Sequence, residues 1–142
     1  MATVSTTVSK ADYEALASFR YVMRRFLRFS ESRARKAGLT PQQHQMLLVV
    51  KGMPGRDWAT LTEIAERLQV RHNAAVGLVD RAERAGLVER RQDTGDRRQV
   101  RVYVTPSGES VLADLTLAHR EELARLATET NFARLYPGNG RT

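Results

Sequence analysis

The run Arg71-His72-Asn73-Ala74-Ala75-Val76-Gly77 sets three hydrogen-bonding side chains beside several small ones. Arg and His can donate to phosphate or to base edges, and Asn can meet adenine with two hydrogen bonds at once. A major groove about 12 Å wide admits one helix, so a reading helix needs such residues facing outward near its N-terminus. Gly77 and Ala74 leave room for close approach, and Arg81 and Arg84 lie further along, placed for phosphate. Taken alone, residues 72 to 85 read equally well as an ordinary amphipathic surface helix.

A second cluster breaks that tie. Arg90, Arg91, Arg97, Arg98 and Arg101 crowd around Gly95. An arginine at a loop tip can enter the minor groove, where negative potential is focused in narrow A·T tracts. Asp96 is out of place on such a surface. The expected use for it is internal, pairing with Arg98 across the tip to stiffen the ribbon and aim Arg97 outward. The predicted DNA-binding residues are therefore Arg71, His72, Asn73, Val76, Gly77, Arg81, Arg84, Arg97 and Arg98, with Asp96 and Arg98 stabilising the turn.

These groups need elements to hold them. Residues 1 to 9 read as a disordered tail. From Lys10 to about Ala37 the pattern is helical, with Leu16, Phe19, Met23, Phe26, Leu27 and Ser30 at three- and four-residue steps, Val22 and Phe29 widening the face, and Gly38 ending the helix. Thr40-Pro41-Gln42-Gln43 opens a second helix with a capping box and Pro at N1. That helix carries Met46, Leu47, Val49 and Val50 and stops at Gly52. Trp58 is expected in a loop, tucked against a helix. Thr60-Leu61-Thr62-Glu63 starts a short helix that buries Leu61, Ile64, Ala65 and Leu68. The helix from His72 buries Ala75, Leu78, Val79 and Ala82. Gly86 closes it, and strands are expected over 87–92 and 98–105 around a turn at Asp93–Arg97. Thr105-Pro106 caps a last long helix, lined by Val111, Leu112, Leu115, His119, Leu123 and Leu126. After about Thr130 no period is sustained.

Here the residues resemble a known family, the MarR-type winged-helix transcriptional regulators. Asp96-x-Arg98-x-x-x-Val102-x-Val104-Thr105, followed by Gly108, is similar to that family's wing signature. Leu78-Val79-Asp80-Arg81 and Gly86-Leu87-Val88-Glu89-Arg90 resemble the end of its recognition helix and the entry to its wing, and Thr40-Pro41-Gln42-Gln43 its second-helix opening. The resemblance covers about residues 10 to 126. It implies a homodimer with interlocked terminal helices, recognition helices in successive major grooves of a pseudopalindrome, and, in many members, release by a small aromatic or anionic ligand. Three departures stand out. Ala82 replaces the usual Leu, implying a looser core corner. The absence of Cys removes the family's peroxide-sensing mode. The tail after Thr130 is short where the family has another dimer helix.

The fold class expected is mainly α with a small antiparallel β-ribbon: a winged helix-turn-helix flanked by long N- and C-terminal dimerisation helices. Residues 1–142 then form a single domain, with 40–105 as the DNA-binding lobe and 10–38 and 106–130 as the dimerisation helices. Charge agrees with an anionic partner: 23 Lys and Arg stand against 16 acids, a net +7. Residues 20–36 hold seven basic side chains and one acid, whereas 109–129 are mostly acidic, so these two segments could pair within or across subunits.

Other classes are poorly supported. With no Cys there is no disulfide framework or thiolate metal site. His44, His72 and His119 lack metal-ligand spacing, no Gly loop cradles phosphate, and no nucleophile adjoins a base, so neither an enzyme nor a metal or other cofactor is expected. No apolar run reaches the roughly 18 residues of a membrane span and none has signal-peptide character, which makes the cytoplasm the expected location. Candidate residues for a small-molecule effector are Tyr21, Arg25, Phe29, His44 and Trp58, each of which reads as readily as core or a paired charge. The rival function is a winged helix used for protein contact or non-specific nucleic-acid binding. RNA readers show stacking aromatics, and residues 71–101 hold none, with Tyr103 just beyond.

Overall fold

In a computed structural model, residues 6–96 and 98–129 are described. The elements are α1 (Lys10–Lys36), α2 (Pro41–Lys51), β1 (Trp58–Thr60), α3 (Leu61–Leu68), α4 (His72–Arg84), β2 (Val88–Gln92), β3 (Val100–Val104) and α5 (Pro106–Glu129). The chain divides into two compact units, one of residues 31–117 and one of residues 1–30 with 118–142. The fold class agrees with the sequence: five helices and a small antiparallel sheet.

In the unit of residues 31–117, two helices begin with reciprocal caps. The Thr40 hydroxyl accepts the Gln43 N–H at 3.1 Å while the Gln43 side chain accepts the Thr40 N–H at 3.0 Å. Thr60 and Glu63 repeat the arrangement at α3. Each box satisfies two amides that a helix start leaves without partners.

Three helices end alike. The Leu39 N–H reaches the Ala34 carbonyl, Val70 reaches Ala65 and Leu87 reaches Ala82, all at 2.9–3.0 Å. The residue before each is left-handed: Gly38 at φ 82°, Gln69 at 55° and Gly86 at 76°. These are Schellman ends, and in each the accepting carbonyl belongs to an alanine packed in the core. Ala82 is fully buried there, so its small side chain belongs to a tight helix end and not to a loose corner. Gln69 takes the left-handed position without being glycine.

The core gathers Met46, Leu47 and Val50 of α2, Ile64 and Ala65 of α3, and Leu112 and Leu115 of α5. All four inward residues predicted for α4 are buried with them. Leu61 and Leu68 are only partly buried, at the core's margin.

The sheet has three strands, in the order β1-β3-β2, where two were expected. The missed strand carries Trp58, which was expected in a loop and instead pairs with Tyr103 in the ladder. A three-residue strand is too short to show alternation, and its partner lies over forty residues on. β3 also starts later than expected, at Val100, because Asp93 N–H to Gln99 O (3.0 Å) and Gln99 N–H to Asp96 O (3.1 Å) keep Gln99 in the turn.

In the other unit, Ser9 and Asp12 form a reciprocal cap at the start of α1. Val22 is buried, while Leu16 and Leu27 of the predicted face are more than half exposed. On α5, His119 and Leu126 are buried, but Leu123 is 52% exposed and Glu122 takes its place at 7%. Seven residues beyond Leu115, two helical turns on, lies 122 and not 123, so phase prevails over hydrophobicity. His119 Nε2 lies 2.8 Å from Ser30 Oγ, edge-on to Phe26 and Phe29. Arg25 and Glu129 form an ion pair, joining the basic segment to the acidic one. The sequence beyond Glu129 lies outside the described residues. Among the described residues, no helix is long and apolar enough to cross a membrane.

Candidate nucleic-acid interface

The helix from His72 owes its orientation to its buried side. Ala75, Leu78, Val79 and Ala82 are at most 4% exposed. That leaves His72, Asn73, Arg81 and Arg84 on the opposite, exposed face, with Val76 and Gly77 half-buried at its margin. Arg71 occupies the N-cap in extended conformation and makes no side-chain cap hydrogen bond. The space left by Gly77 is not open: Arg81, one turn on, folds back over it, and a Cβ at 77 would lie 3.3 Å from Arg81 Nη1.

The ribbon's arginines divide by face, as strand alternation requires. Arg90, on the face with Val88 and Val102, reaches back to α4 and bonds both Asp80 and Glu83; its backbone N–H also donates to Glu83 at 3.1 Å. Arg91 pairs with Glu89 and covers the Tyr103 ring at 4.4 Å. Arg101 donates to Asp93 at 3.2 Å and lies 3.9 Å from the centre of the Trp58 ring. Three of the five arginines that drew attention in the sequence are thus engaged inside the lobe.

Asp96 and Arg98 do meet, through the backbone: the Asp96 carboxylate accepts the Arg98 N–H at 3.0 Å. The carboxylate that pairs with a guanidinium is Asp93, whose pKa is held below the usual range first by the Gly95 N–H and then, against some desolvation, by Arg101. Arg98 itself is exposed. Arg97 lies outside the described residues.

A cleft of about 600 Å³ opens between the start of α3, β1, His72 and the lead into β3. Arg56, Trp58, Glu63 and Arg98 are among its walls. Burial works to raise the Glu63 pKa, but hydrogen bonds from Arg56 and Thr60 outweigh it and hold the carboxyl below its ordinary value. A second cleft, about 590 Å³ and largely apolar, lies between α2 and α5, lined by Leu48, Leu112, Ala113 and Leu117 and rimmed by the Lys51–Glu109 ion pair. Of the residues considered for an effector, Tyr21, Arg25 and Phe29 belong to the unit of residues 1–30 and 118–142. There Arg25 lies over the Tyr21 ring at 5.6 Å. His44 is buried on α2, and Trp58 forms a wall of the first cleft. The α2–α5 cleft was not foreseen, because its lining residues look like ordinary core positions in sequence.

A family model described as the MarR family matches residues 37–99. The HTH-type transcriptional repressor MdtR of Bacillus subtilis (strain 168) is 30% identical over 90 residues, which are 63% of this chain and 56% of that protein. The chain thus spans little more than half the length of that curated relative. Among solved structures, a MarR family transcription regulator is 25% identical with a TM-score of 0.70, over 87% of this chain and 80% of that one. A MepR–DNA complex from S. aureus shares the fold, with a TM-score of 0.67 at 22% identity over 80% and 82% of the two chains.

Proposed function

We propose that the chain is a MarR-type, sequence-specific regulator that binds double-stranded DNA, a reading supported by the MarR family model over residues 37–99 and by the likeness to MdtR and to a solved MarR family regulator. We assign it a homodimer on a pseudopalindromic operator, acting as a repressor, with residues 40–105 as the reading lobe and the two long helices as the pairing elements. One observation carries the reading. Among the described residues, Arg71, Arg81, Arg84 and Arg98 are exposed and have no carboxylate partner, whereas Arg90, Arg91 and Arg101 all do. Of the arginines on α4 and the ribbon, the ones left for a polyanion are therefore those on the outward face of α4 and on the wing arm. MdtR is named a repressor, and MepR has been seen with DNA.

Dimerisation is supported by apolar surface on the terminal helices. Tyr13, Leu16, Tyr21, Leu27 and Leu123 are each more than half exposed, and apolar patches of that kind mark association sites. An aromatic or anionic effector would fit the α2–α5 cleft, whose volume lies in the range of small-molecule sites.

Selection from a random duplex pool tests the function. The expected result is one palindrome with half-sites about one turn, ~34 Å, apart, bound with a steep loss of affinity as salt rises. Asn73→Ala should relax the choice of base inside the half-site by about 1–3 kcal/mol of discrimination. Equal binding of random and selected duplexes by the pure protein would refute the proposal.

A further inference from the structure

Trp58 is the chain's single tryptophan. It stands on β1 opposite Tyr103, and Thr60, two residues on, stands opposite Arg101. The Arg56 Cζ lies 4.1 Å from the indole ring centre and the Arg101 Cζ 3.9 Å from it. Two cations this close over one ring cannot share a face, because their planes would collide and their charges repel. The indole is therefore clamped between them, its two negative faces each meeting a guanidinium. The Nε of Arg101 is buried with no hydrogen-bond acceptor among the described residues.

Each guanidinium is tied on its outer side to a carboxylate. Arg56 makes a two-pronged pair with Glu63, one prong at 3.1 Å. The same carboxylate accepts the Thr60 N–H at 3.1 Å, so that end belongs to the cap of α3. Arg101 donates to Asp93 at 3.2 Å, and Asp93 accepts the Gly95 N–H at 3.0 Å, so the other end belongs to the wing turn. An unbroken chain of contacts runs from the first turn of α3 to the tip of the ribbon, through one aromatic ring. The ribbon needs such help. A two-stranded hairpin is marginal alone, and the third strand adds only three residues.

We propose that Trp58 is the positioning residue of the wing: clamped between Arg56 and Arg101, it fixes the turn at Asp93 and Gly95 against the helix pair and so sets where Arg98 reaches. The functional half of this inference rests on the DNA-binding reading above; the structural half does not.

Amide hydrogen exchange on the unliganded full chain compares wild type with Trp58→Leu and Trp58→Phe. The Leu variant should speed exchange at Asp93, Gly95 and Gln99 about tenfold while Leu78 and Val79 of α4 keep the wild-type rate. The Phe variant, which keeps two ring faces, should stay within about threefold of wild type. Unchanged wing exchange in the Leu variant overturns the proposal, as does equal acceleration in α4. If the Leu variant does not fold, Asp93→Asn decides at the far end of the chain. It should shift the emission of Trp58, and unaltered emission counts against a continuous contact chain. On duplexes, Trp58→Leu should retain discrimination inside the half-site and lose about tenfold of any preference for flanking A·T pairs. Retained flank preference overturns the positioning role. A wild-type protein that prefers no duplex sinks the DNA-binding reading instead and leaves the exchange result standing.

Discussion

Arg90 on β2 is bonded to Asp80 on α4, two turns into the helix that faces outward at His72 and Asn73. The same guanidinium holds Glu83, so one side chain joins the ribbon to α4 at two points. Its side chain is 25% exposed, and the carboxylates are somewhat more open, which limits the strength of the pairing.

Arg90→Met should lower stability by about 1 kcal/mol, less than additively with Asp80→Asn, as urea midpoints of the double-mutant cycle would show. Because Arg90 is engaged internally, its loss should leave the salt dependence of DNA binding unchanged. Arg98→Met should instead reduce the log–log salt slope by about one. The reverse pattern would mean the two arginines have been assigned the wrong way round.

Gly108 and Gly86 are glycines for different reasons, and alanine should separate them. A Cβ at 108 would lie 2.2 Å from the Leu87 carbonyl oxygen and 2.8 Å from Val104 Cγ1. Backbone would have to move, so Gly108→Ala should cost about 3 kcal/mol or more. Gly86 has open space but φ 76°, and its replacement should cost only about 1 kcal/mol. Denaturant unfolding of the two variants side by side checks the order.

Acid should weaken the reading lobe through Glu63. Its folded pKa is below the usual range, so the carboxylate stabilises the fold above about pH 4.3, its ordinary value, and that contribution disappears as pH falls through the depressed folded value. Asp93 acts in the same direction. The stability difference between wild type and Glu63→Gln should therefore be largest near neutrality and shrink as urea titrations are taken below about pH 4. A difference independent of pH would show that the charge of Glu63 is not what matters.

The exposed leucines of the terminal helices offer a test of assembly. Leu16 is 58% and Leu123 52% exposed. Changing both to Glu should halve the mass seen by light scattering while the helical content of the chain is retained. A variant that keeps the mass of the unmodified protein would place the pairing surface elsewhere.

Most of the architecture was legible because its signals are local. Thr40 with Gln43, Thr60 with Glu63, and Gly86 before Leu87 act within one helical turn, and Ala75, Leu78, Val79 and Ala82 share a face through spacing alone. The capping residues name the helix ends, and the period names the buried side. The same locality explains the misreading of Leu123, where hydrophobicity was followed one step out of phase with Leu115.

What residue order could not decide was how the arginines are used. Arg90, Arg91, Arg98 and Arg101 look alike along the chain, yet strand alternation and contacts with Asp80, Tyr103, Asp93 and Trp58 engage three of them within the fold and leave Arg98 without a carboxylate partner among the described residues. Those partners lie on other elements or across the ladder. The sequence by itself therefore determined the helices, their caps, the outward face of α4 and the presence of a wing. Only the tertiary structure decided which of these charges stay unpaired, because whether a guanidinium is engaged depends on which carboxylate or ring the fold brings to it.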